Sequence, residues 1–209
     1  MTGQFIVFEG GEGAGKSTQA RMLADHLHDR GIAALLTREP GGTAGAEAIR
    51  ELLLHPRDDG WSLESETLLF AAARSEHVRK VIRPALHRGE WVVCDRYLDS
   101  SRTYQGFAGD VPDDAILSLH EFGSGGLKAD HTILLTLASE ERERRLRKRD
   151  GATEDAISGR GDGYHARVAE GFNRLAYEDS SYIVVDGAGS PQDVHARTVE
   201  LLEQRWNAG

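Results

Sequence analysis

Cysteine and long apolar runs are scarce in this chain of 209 residues. The single cysteine, Cys94, cannot form an intramolecular disulfide, which agrees with a reducing compartment. No apolar run approaches the roughly 20 residues that a membrane-spanning helix needs, so we expect no membrane partner. The stretch from Met1 to Phe8 enters an apolar strand directly, without a signal-like segment, and therefore favours the cytoplasm.

Positive charge is also in short supply, because 25 lysines and arginines face 34 aspartates and glutamates and leave a net charge of −9. A protein that binds a phosphate backbone normally needs a broad basic surface, so we expect no nucleic-acid polymer as a partner. Five arginines do cluster between Arg142 and Arg149. Most of them are explained as a solvated helix face, since glutamates lie at helical spacing from them, but the cluster could also hold a small anionic substrate.

Short apolar segments alternate with longer helical segments along the chain. Five segments rich in β-branched and apolar residues predict buried strands at 5–8, 32–37, 91–94, 132–137 and 182–185. Helical periodicity covers roughly 16–29, 44–54, 63–88, 112–123, 139–149, 164–178 and 191–206. This alternation predicts an α/β fold in one domain over residues 1–209, with a parallel sheet covered by helices on both faces. A segment rich in Gly, Asp and Ser, at about 150–163, breaks the pattern and predicts a lid.

The most specific motif runs from Gly10 to Ser17 and fits the pattern GxxxxGK[ST] between a predicted strand and a predicted helix. In this context the glycines let backbone amides and the helix N-terminus face phosphate oxygens. Lys16 would reach the β and γ phosphates of a nucleotide, and the Ser17 hydroxyl would bind Mg²⁺. The predicted nucleotide-binding residues are Gly10, Gly11, Glu12, Gly13, Ala14, Gly15, Lys16, Ser17 and Thr18.

A second candidate site follows the third predicted strand, which delivers Asp95 and Arg96 to the carboxyl edge of the sheet. Ligands bind at that edge in open α/β folds. Asp95 can orient water on a magnesium ion next to Ser17, and Arg96 can bind a second phosphate through two parallel hydrogen bonds. A solvated ion pair between the two residues is the alternative, but the neighbouring phosphate-binding motif favours the functional interpretation.

Two further pairs of residues suggest a ligand site. Arg38 and Glu39 form a charged pair where a Pro-Gly-Gly turn ends the second strand, and the turn alone does not explain the charges. Phe70 and Arg74 lie four residues apart and share a helix face, so a ring that could stack on a base lies beside a hydrogen-bond donor. Ordinary core packing is the alternative for Phe70.

The segments FEGGEGAGKST, TREPGGT, LLFAAAR and DRYLDSSRTYQG occur in the order and spacing of bacterial thymidylate kinases, and the chain resembles this family over nearly its whole length. The resemblance implies a P-loop kinase fold with a five-stranded parallel sheet, ATP and Mg²⁺ as co-substrates, and a homodimer. It also implies that the chain transfers the γ-phosphoryl group of ATP to dTMP in dTTP synthesis.

The same resemblance assigns roles around the acceptor. Phe70 resembles the ring that stacks on thymine, and Arg74 resembles the donor to a thymine carbonyl. Arg96 resembles the residue that binds the dTMP phosphate, and Tyr104 the ring that crowds the 2′ carbon of the sugar and rejects a ribonucleotide. The full set of implied substrate-binding residues is Glu12, Arg38, Glu39, Phe70, Arg74, Arg96, Ser101, Tyr104 and Gln105.

The chain departs from the family pattern in two places. Its phosphate-binding motif has no arginine at the variable positions, so a cation on the migrating phosphoryl group must come from elsewhere. Relatives with such a motif usually have an Asp-Arg pair in the lid, whereas here Ala156 follows Asp155, and an arginine occurs only at Arg160. The lid arginine is therefore open between Arg149 and Arg160. The remaining predicted catalytic residues are Lys16, Glu12 and Arg96.

Two other functions share the phosphate-binding motif. A nucleotide-dependent regulatory module would signal by conformation, but a GTPase of this kind would carry an Asn-Lys-x-Asp motif late in the chain, and residues 138–150 contain none. A kinase for another nucleotide or for a nucleoside is the closer alternative. An assay over a panel of acceptors would separate these functions.

Overall fold

The computed structural model describes residues 3–57, 60–149, 156–157 and 159–207, and the side chains of residues 146–149 and 207 are outside this description. The strands are β1 Phe5–Glu9, β2 Ala34–Arg38, β3 Trp91–Asp95, β4 His131–Thr136 and β5 Tyr182–Asp186. They form one parallel sheet in the order β2-β3-β1-β4-β5. The prediction of an α/β fold with a five-stranded parallel sheet is confirmed.

Helices connect successive strands, as right-handed crossovers between parallel strands require. The described helices are α1 Lys16–Asp29, α2 Ala44–Leu54, α3 Leu63–His77, α4 Arg83–His87, α5 Leu98–Ser101, α6 Asp113–Ser124, α7 Ser139–Arg149, α8 Asp162–Glu178 and α9 Pro191–Asn207. Two π-helical turns, Val78–Ile82 and Arg102–Phe107, join α3 to α4 and extend α5.

Alternate residues of β1 pack on opposite faces of the sheet. Ile6 and Phe8 belong to a core shared with α1 and α9, whereas Phe5 and Val7 belong to a second core that also contains Cys94. Each side chain that is fully buried in this way contributes about 1.5–3 kcal/mol relative to its exposure to water. Burial on both faces explains why the strands appear in the sequence as continuous apolar runs and not as alternating ones.

Two helical regions differ from the prediction. The predicted helix at 63–88 is interrupted by the π-helical turn Val78–Ile82, because Pro84 lacks a backbone N–H and its ring crowds the carbonyl four residues earlier. No helix was predicted at 98–107, where α5 and the second π-helical turn lie. This segment is rich in Ser and Thr and contains Gly106, all poor helix formers, so its helical structure depends on tertiary contacts.

The predicted lid, at about 150–163, falls partly outside the described residues, which exclude 150–155 and 158. The side chain of Arg149 is outside the description as well. Of the described residues nearby, Ile157 packs against a small core around Tyr104 and Phe172, and α8 begins at Asp162. No helix within the described ranges is long and apolar enough to cross a membrane.

Candidate active site

The carboxyl ends of the three strands β1, β2 and β3 are level with one another. The strand register pairs Asp95 with both Phe8 and Arg38. The residues that follow these strands are therefore neighbours, as predicted for the phosphate-binding motif and for Asp95 and Arg96. This edge of the sheet carries the candidate site.

The phosphate-binding loop, residues 10–15, is the turn between β1 and α1. Gly10 has a φ of 136°, and a Cβ on this residue would lie 2.5 Å from the carbonyl oxygen of Leu135, so a side chain cannot fit there. Gly15, with a φ of 98°, precedes α1 and provides no side-chain cap. The first N–H groups of α1 therefore face the loop and are suited to bind an anion.

Lys16 is the first residue of α1, and its side chain is buried behind the loop. Its ammonium group donates a hydrogen bond of 2.8 Å to the carbonyl oxygen of Gly11. Burial, together with the nearby charge of Arg96, lowers the pKa of Lys16 to about 8. A phosphate group bound in the loop would provide the counter-charge that this lysine needs.

Ser17 and Asp95 fit the predicted magnesium site. The Ser17 hydroxyl donates a short hydrogen bond to Oδ2 of Asp95, and Oδ1 of Asp95 is buried without a hydrogen-bond partner among the described residues. Hydroxyl and carboxylate oxygens are the ligands that Mg²⁺ prefers. No cluster of three or more Asp, Glu, His or Cys residues suited to a metal occurs in the described part of the chain. An ion at this position would therefore depend on nucleotide phosphates and water for its other ligands.

Arg96 projects into the site from an unusual backbone conformation, with a φ of 70°. Its backbone N–H donates to the carbonyl oxygen of Phe8 at 2.9 Å, which fixes this turn to β1. The guanidinium group donates to Oε1 of Glu12 and, at 3.2 Å, to the Ser100 hydroxyl. It also lies over the Tyr104 ring, with Cζ 5.1 Å from the ring centroid. Strained backbone at a fixed cation is typical of a binding site.

Glu9 was not predicted as a site residue, yet it is a fully buried carboxylate at the end of β1. Oε1 accepts hydrogen bonds from the backbone N–H groups of Tyr97, at 2.8 Å, and of Ser100, at 3.0 Å. Oε2 accepts from the Ser100 hydroxyl at 2.6 Å. Burial and the nearby charge of Asp99 raise the pKa of Glu9 to about 7. The only signal in the sequence was an acidic residue directly after an apolar strand.

Arg74 is buried between β2 and α5. Its Nε donates to Glu39 at 2.8 Å, and its Nη2 donates to the Ser101 hydroxyl at 2.9 Å and to the Tyr97 carbonyl oxygen at 3.1 Å. Nη1 makes no hydrogen bond within the described part of the chain, so it can serve a ligand. His77, which was not predicted, contacts the other oxygen of Glu39 at 3.0 Å. The structure thus joins three predicted residues, Glu39, Arg74 and Ser101, in one buried network.

Phe70 and Arg38 lie at the margins of the site. Phe70 is half-buried one turn before Arg74 and belongs to none of the hydrophobic cores among the described residues. This position disfavours the core-packing alternative. Arg38 is largely exposed, and its Nη2 donates to both carboxylate oxygens of Glu47 at 3.0 and 3.1 Å. The structure therefore does not bring the guanidinium of Arg38 into direct contact with the Arg74 network.

Gln105 and Arg160 meet at Glu66, a buried residue of α3 that was not predicted. The Gln105 amide donates to Oε1 of Glu66 at 2.8 Å, and Nη2 of Arg160 donates to Oε2 at 2.5 Å. Nη1 of Arg160 donates to the Tyr164 hydroxyl at 2.6 Å, and this hydroxyl donates to the Tyr104 carbonyl oxygen at 2.7 Å. Arg160 thus belongs to the wall of the site that carries Tyr104.

The Tyr104 ring is buried between Arg96 and an aromatic cluster. Its centroid lies 6.2 Å from that of Tyr164 and 6.3 Å from that of Phe172. The Tyr104 hydroxyl is buried and has no hydrogen-bond partner among the described residues. The ring is therefore held by packing and by the neighbouring guanidinium of Arg96, which also acts on the pKa of the Tyr104 hydroxyl.

A cavity of about 310 Å³ continues from the phosphate-binding loop toward α7 and the turn between β5 and α9. Gly13 and Gly15 line one side, and Gly187 and Gly189 line the other. Arg145, one of the clustered arginines, also lines it and donates to Glu141 at 2.9 Å and to the Gly187 carbonyl oxygen at 2.8 Å. Residues 187–189 were missed because they carry no reactive side chain; the glycines after the last strand were the only signal.

The phosphate-binding loop and Arg96 lie at the same edge of the sheet, so the site can hold two phosphorylated ligands side by side. This arrangement, on this fold, defines a P-loop kinase. The chain belongs to the thymidylate kinase family, because the sequence model described as Thymidylate kinase matches residues 8–198.

Individual relatives agree with this membership. The chain is 49% identical to a thymidylate kinase from Rhizorhabdus wittichii over 203 residues, which cover 97% of this chain and 98% of the relative. It is 45% identical to a thymidylate kinase from Caulobacter vibrioides, with 97% of each chain covered. A crystal structure of thymidylate kinase from Ehrlichia chaffeensis superposes with a TM-score of 0.78 at 29% identity, covering 97% of this chain and 100% of the other.

Proposed function

We propose that this chain transfers the γ-phosphoryl group of ATP to the phosphate of dTMP, with Mg²⁺, and so makes dTDP for dTTP synthesis. The observation that carries the proposal is the position of Arg96 against the phosphate-binding loop, where its guanidinium donates to Oε1 of Glu12 and, at 3.4 Å, to the carbonyl oxygen of Gly10. Arg96 and Lys16 together form a suitable site for the phosphates of donor and acceptor. The relatives, which are named thymidylate kinases, support dTMP as the acceptor.

The donor lies in the phosphate-binding loop, with its base and ribose in the cavity lined by Arg145 and Gly187. The volume of about 310 Å³ is at the lower end of the range for small-molecule sites. Lys16 and the amides of α1 bind the β and γ phosphates. When Mg²⁺ is bound, Ser17 and Asp95 hold it, and its charge offsets that of the donor phosphates.

The acceptor phosphate binds to Arg96. It is already an oxyanion and needs no strong general base, so the rate comes mainly from positioning and from charge neutralisation. Glu12, which Arg96 contacts, lies where the sugar and phosphate of the acceptor meet the loop. Because the side chains of Arg96 and Glu12 are only partly exposed, at 18% and 21%, their charges act more strongly than they would in water.

The base and sugar of dTMP lie against α3 and α5. Phe70 stacks on thymine, and this role is supported by its half-buried ring, which packs in no described core. Arg74 donates through Nη1 to a thymine carbonyl, with Glu39 and Ser101 holding the rest of its guanidinium. The Tyr104 ring crowds the 2′ position of the sugar. Gln105, fixed by Glu66, completes this wall, and Arg38 lies at its outer edge.

The two candidate lid arginines take different roles in this proposal. Arg160 is occupied by Glu66 and Tyr164 and supports the wall behind Tyr104. The cation that contacts the migrating phosphoryl group is then Arg149. In this proposal the whole chain forms one kinase domain, with a lid at about 150–163.

A homodimer is also part of the proposal. Leu68 of α3, with 55% of its surface exposed, and Leu117 and Phe122 of α6, with 39% and 93%, are large apolar side chains on two helices that pack together. Exposed apolar groups on adjacent helices favour a protein partner, and a second copy of the chain fits the family. A cytoplasmic location is supported by the single cysteine, which is buried and reduced.

A coupled assay of ADP release over a panel of acceptors tests the function. The panel contains dTMP, dCMP, dAMP, dGMP and unphosphorylated thymidine, each with ATP and Mg²⁺. We expect turnover of dTMP to exceed that of every other member. Equal turnover of dCMP and dTMP would contradict the assignment of the acceptor, and turnover of thymidine alone would indicate a nucleoside kinase.

A further inference from the structure

Glu9 and Ser100 form a continuous chain of hydrogen bonds to Arg96. The Ser100 hydroxyl donates to Oε2 of Glu9 at 2.6 Å and accepts from Nη1 of Arg96 at 3.2 Å. When Glu9 is ionised, as it is above its pKa of about 7, both donor directions are fixed, because a guanidinium only donates and a carboxylate only accepts. A hydroxyl that donates to a carboxylate presents its lone pairs to the other side, where the guanidinium of Arg96 lies.

The backbone around Arg96 depends on the same carboxylate. Arg96 has a φ of 70°, and the next residue begins the turn into α5. Oε1 of Glu9 accepts from the N–H groups of Tyr97 and Ser100, two of the N–H groups at the start of α5 that lack a partner within the helix. Glu9 therefore fixes both the backbone beside Arg96 and the side chain that contacts its guanidinium.

We propose that Glu9 and Ser100 are positioning residues for Arg96, which they hold in the orientation that binds the phosphate of the acceptor. Neither residue needs to touch dTMP in this role. The inference rests on the proposed function, in which Arg96 binds that phosphate. Changes at Glu9 or Ser100 should therefore weaken the binding of the acceptor's phosphate and leave the binding of its nucleoside part unchanged.

The ratio of dTMP affinity to thymidine affinity measures this consequence, because thymidine lacks the phosphate. Equilibrium titrations of both ligands would use the full-length chain and the variants Ser100→Ala and Glu9→Gln. Ser100→Ala removes the link and leaves both backbone bonds of Glu9. Glu9→Gln keeps an oxygen for the two N–H groups but removes the charge and the acceptor for the Ser100 proton. In each variant we expect the ratio to fall about three- to tenfold, as for the loss of one typical hydrogen bond.

Two further variants serve as controls. Ser100→Thr retains a hydroxyl and should keep the parental ratio. Ser118→Ala, at an exposed serine of α6, should also leave the ratio unchanged. ATP affinity and the thermal midpoint report on folding. A variant that loses thymidine, dTMP and ATP binding together has lost structure, and that result in both variants would overturn the positioning role.

The variant Arg96→Ala distinguishes a failure of the positioning role from a failure of the proposed function. If this variant keeps the parental ratio, Arg96 does not bind the acceptor phosphate, and the proposed site itself is wrong. If Arg96→Ala lowers the ratio but either Ser100→Ala or Glu9→Gln does not, only the positioning role is overturned. In the double variant of Arg96→Ala and Ser100→Ala, we expect the ratio of Arg96→Ala alone, because Ser100 then has no guanidinium to position.

Discussion

Raising the pH should weaken ATP binding through Lys16. Burial and the nearby Arg96 lower the pKa of this lysine from 10.5 to about 8, whereas bound phosphates favour its charged form. In the free protein the charged fraction of Lys16 therefore decreases as the pH rises through 8. Between pH 7.5 and 9 this fraction falls about eightfold, and the affinity for ATP should fall by the same factor.

Titration calorimetry without the acceptor tests this prediction. At pH 8, ATP binding should take up about half a proton, which is measured as a dependence of the heat on the ionisation enthalpy of the buffer. Lys16→Arg keeps a charge that does not titrate in this range, so its affinity should not depend on pH. Lys80→Arg, at an exposed lysine paired with Glu76, should behave like the parent. A parental affinity that is constant from pH 7.5 to 9, or an equal slope in Lys16→Arg, would refute the reasoning.

Three other substitutions test the site. Arg96→Ala should weaken dTMP binding strongly and Lys16→Ala only slightly, as measured by titration with dTMP. If Lys16→Ala has the larger effect on dTMP affinity, the donor and acceptor phosphates have been assigned to the wrong residues. Tyr104→Phe should keep the discrimination against ribothymidine monophosphate, since the Tyr104 hydroxyl has no described partner, whereas Tyr104→Ala should relax it; an unchanged kcat/KM ratio in the alanine variant would make the ring purely structural. Arg149→Ala should lower kcat about ten- to a thousandfold at saturating ATP, and a near-parental kcat in this variant would point to another cation. Arg160→Ala should raise the KM for dTMP more than it lowers kcat, because Arg160 supports the wall of the site that carries Tyr104.

The strands and the phosphate-binding loop were predictable because their signals are local. Each strand of a parallel sheet buried on both faces is an apolar run, and all five runs became strands within two residues of the predicted bounds. The loop motif encodes its own geometry, since Gly10 and Gly15 adopt backbone conformations that other residues avoid. The order of motifs along the chain also led to the thymidylate kinase family, which the comparisons confirm.

The helical structure at 98–107 could not be predicted, because its stabilising partners are distant in sequence. Glu9 lies 91 residues before Ser100 and provides acceptors at the start of α5 that no local residue supplies. In the same way, Glu66 joins Gln105 to Arg160 across 39 and 94 residues. These carboxylates appear in the sequence as single acidic residues and gain a role only when the fold brings their donors within hydrogen-bond distance.

The sequence by itself determined the class of fold, the phosphate-binding loop and the family, since each follows from local periodicity or from motifs of adjacent residues. The residues that face the ligands stay a prediction. Only the tertiary structure decided how those residues are held: Arg96 between Glu12 and Ser100, Arg74 against Glu39, and Arg160 against Glu66. The physical reason is that a buried charge must find its partners through space. Which carboxylate reaches which guanidinium depends on strand order and helix packing, and neither is written in adjacent residues.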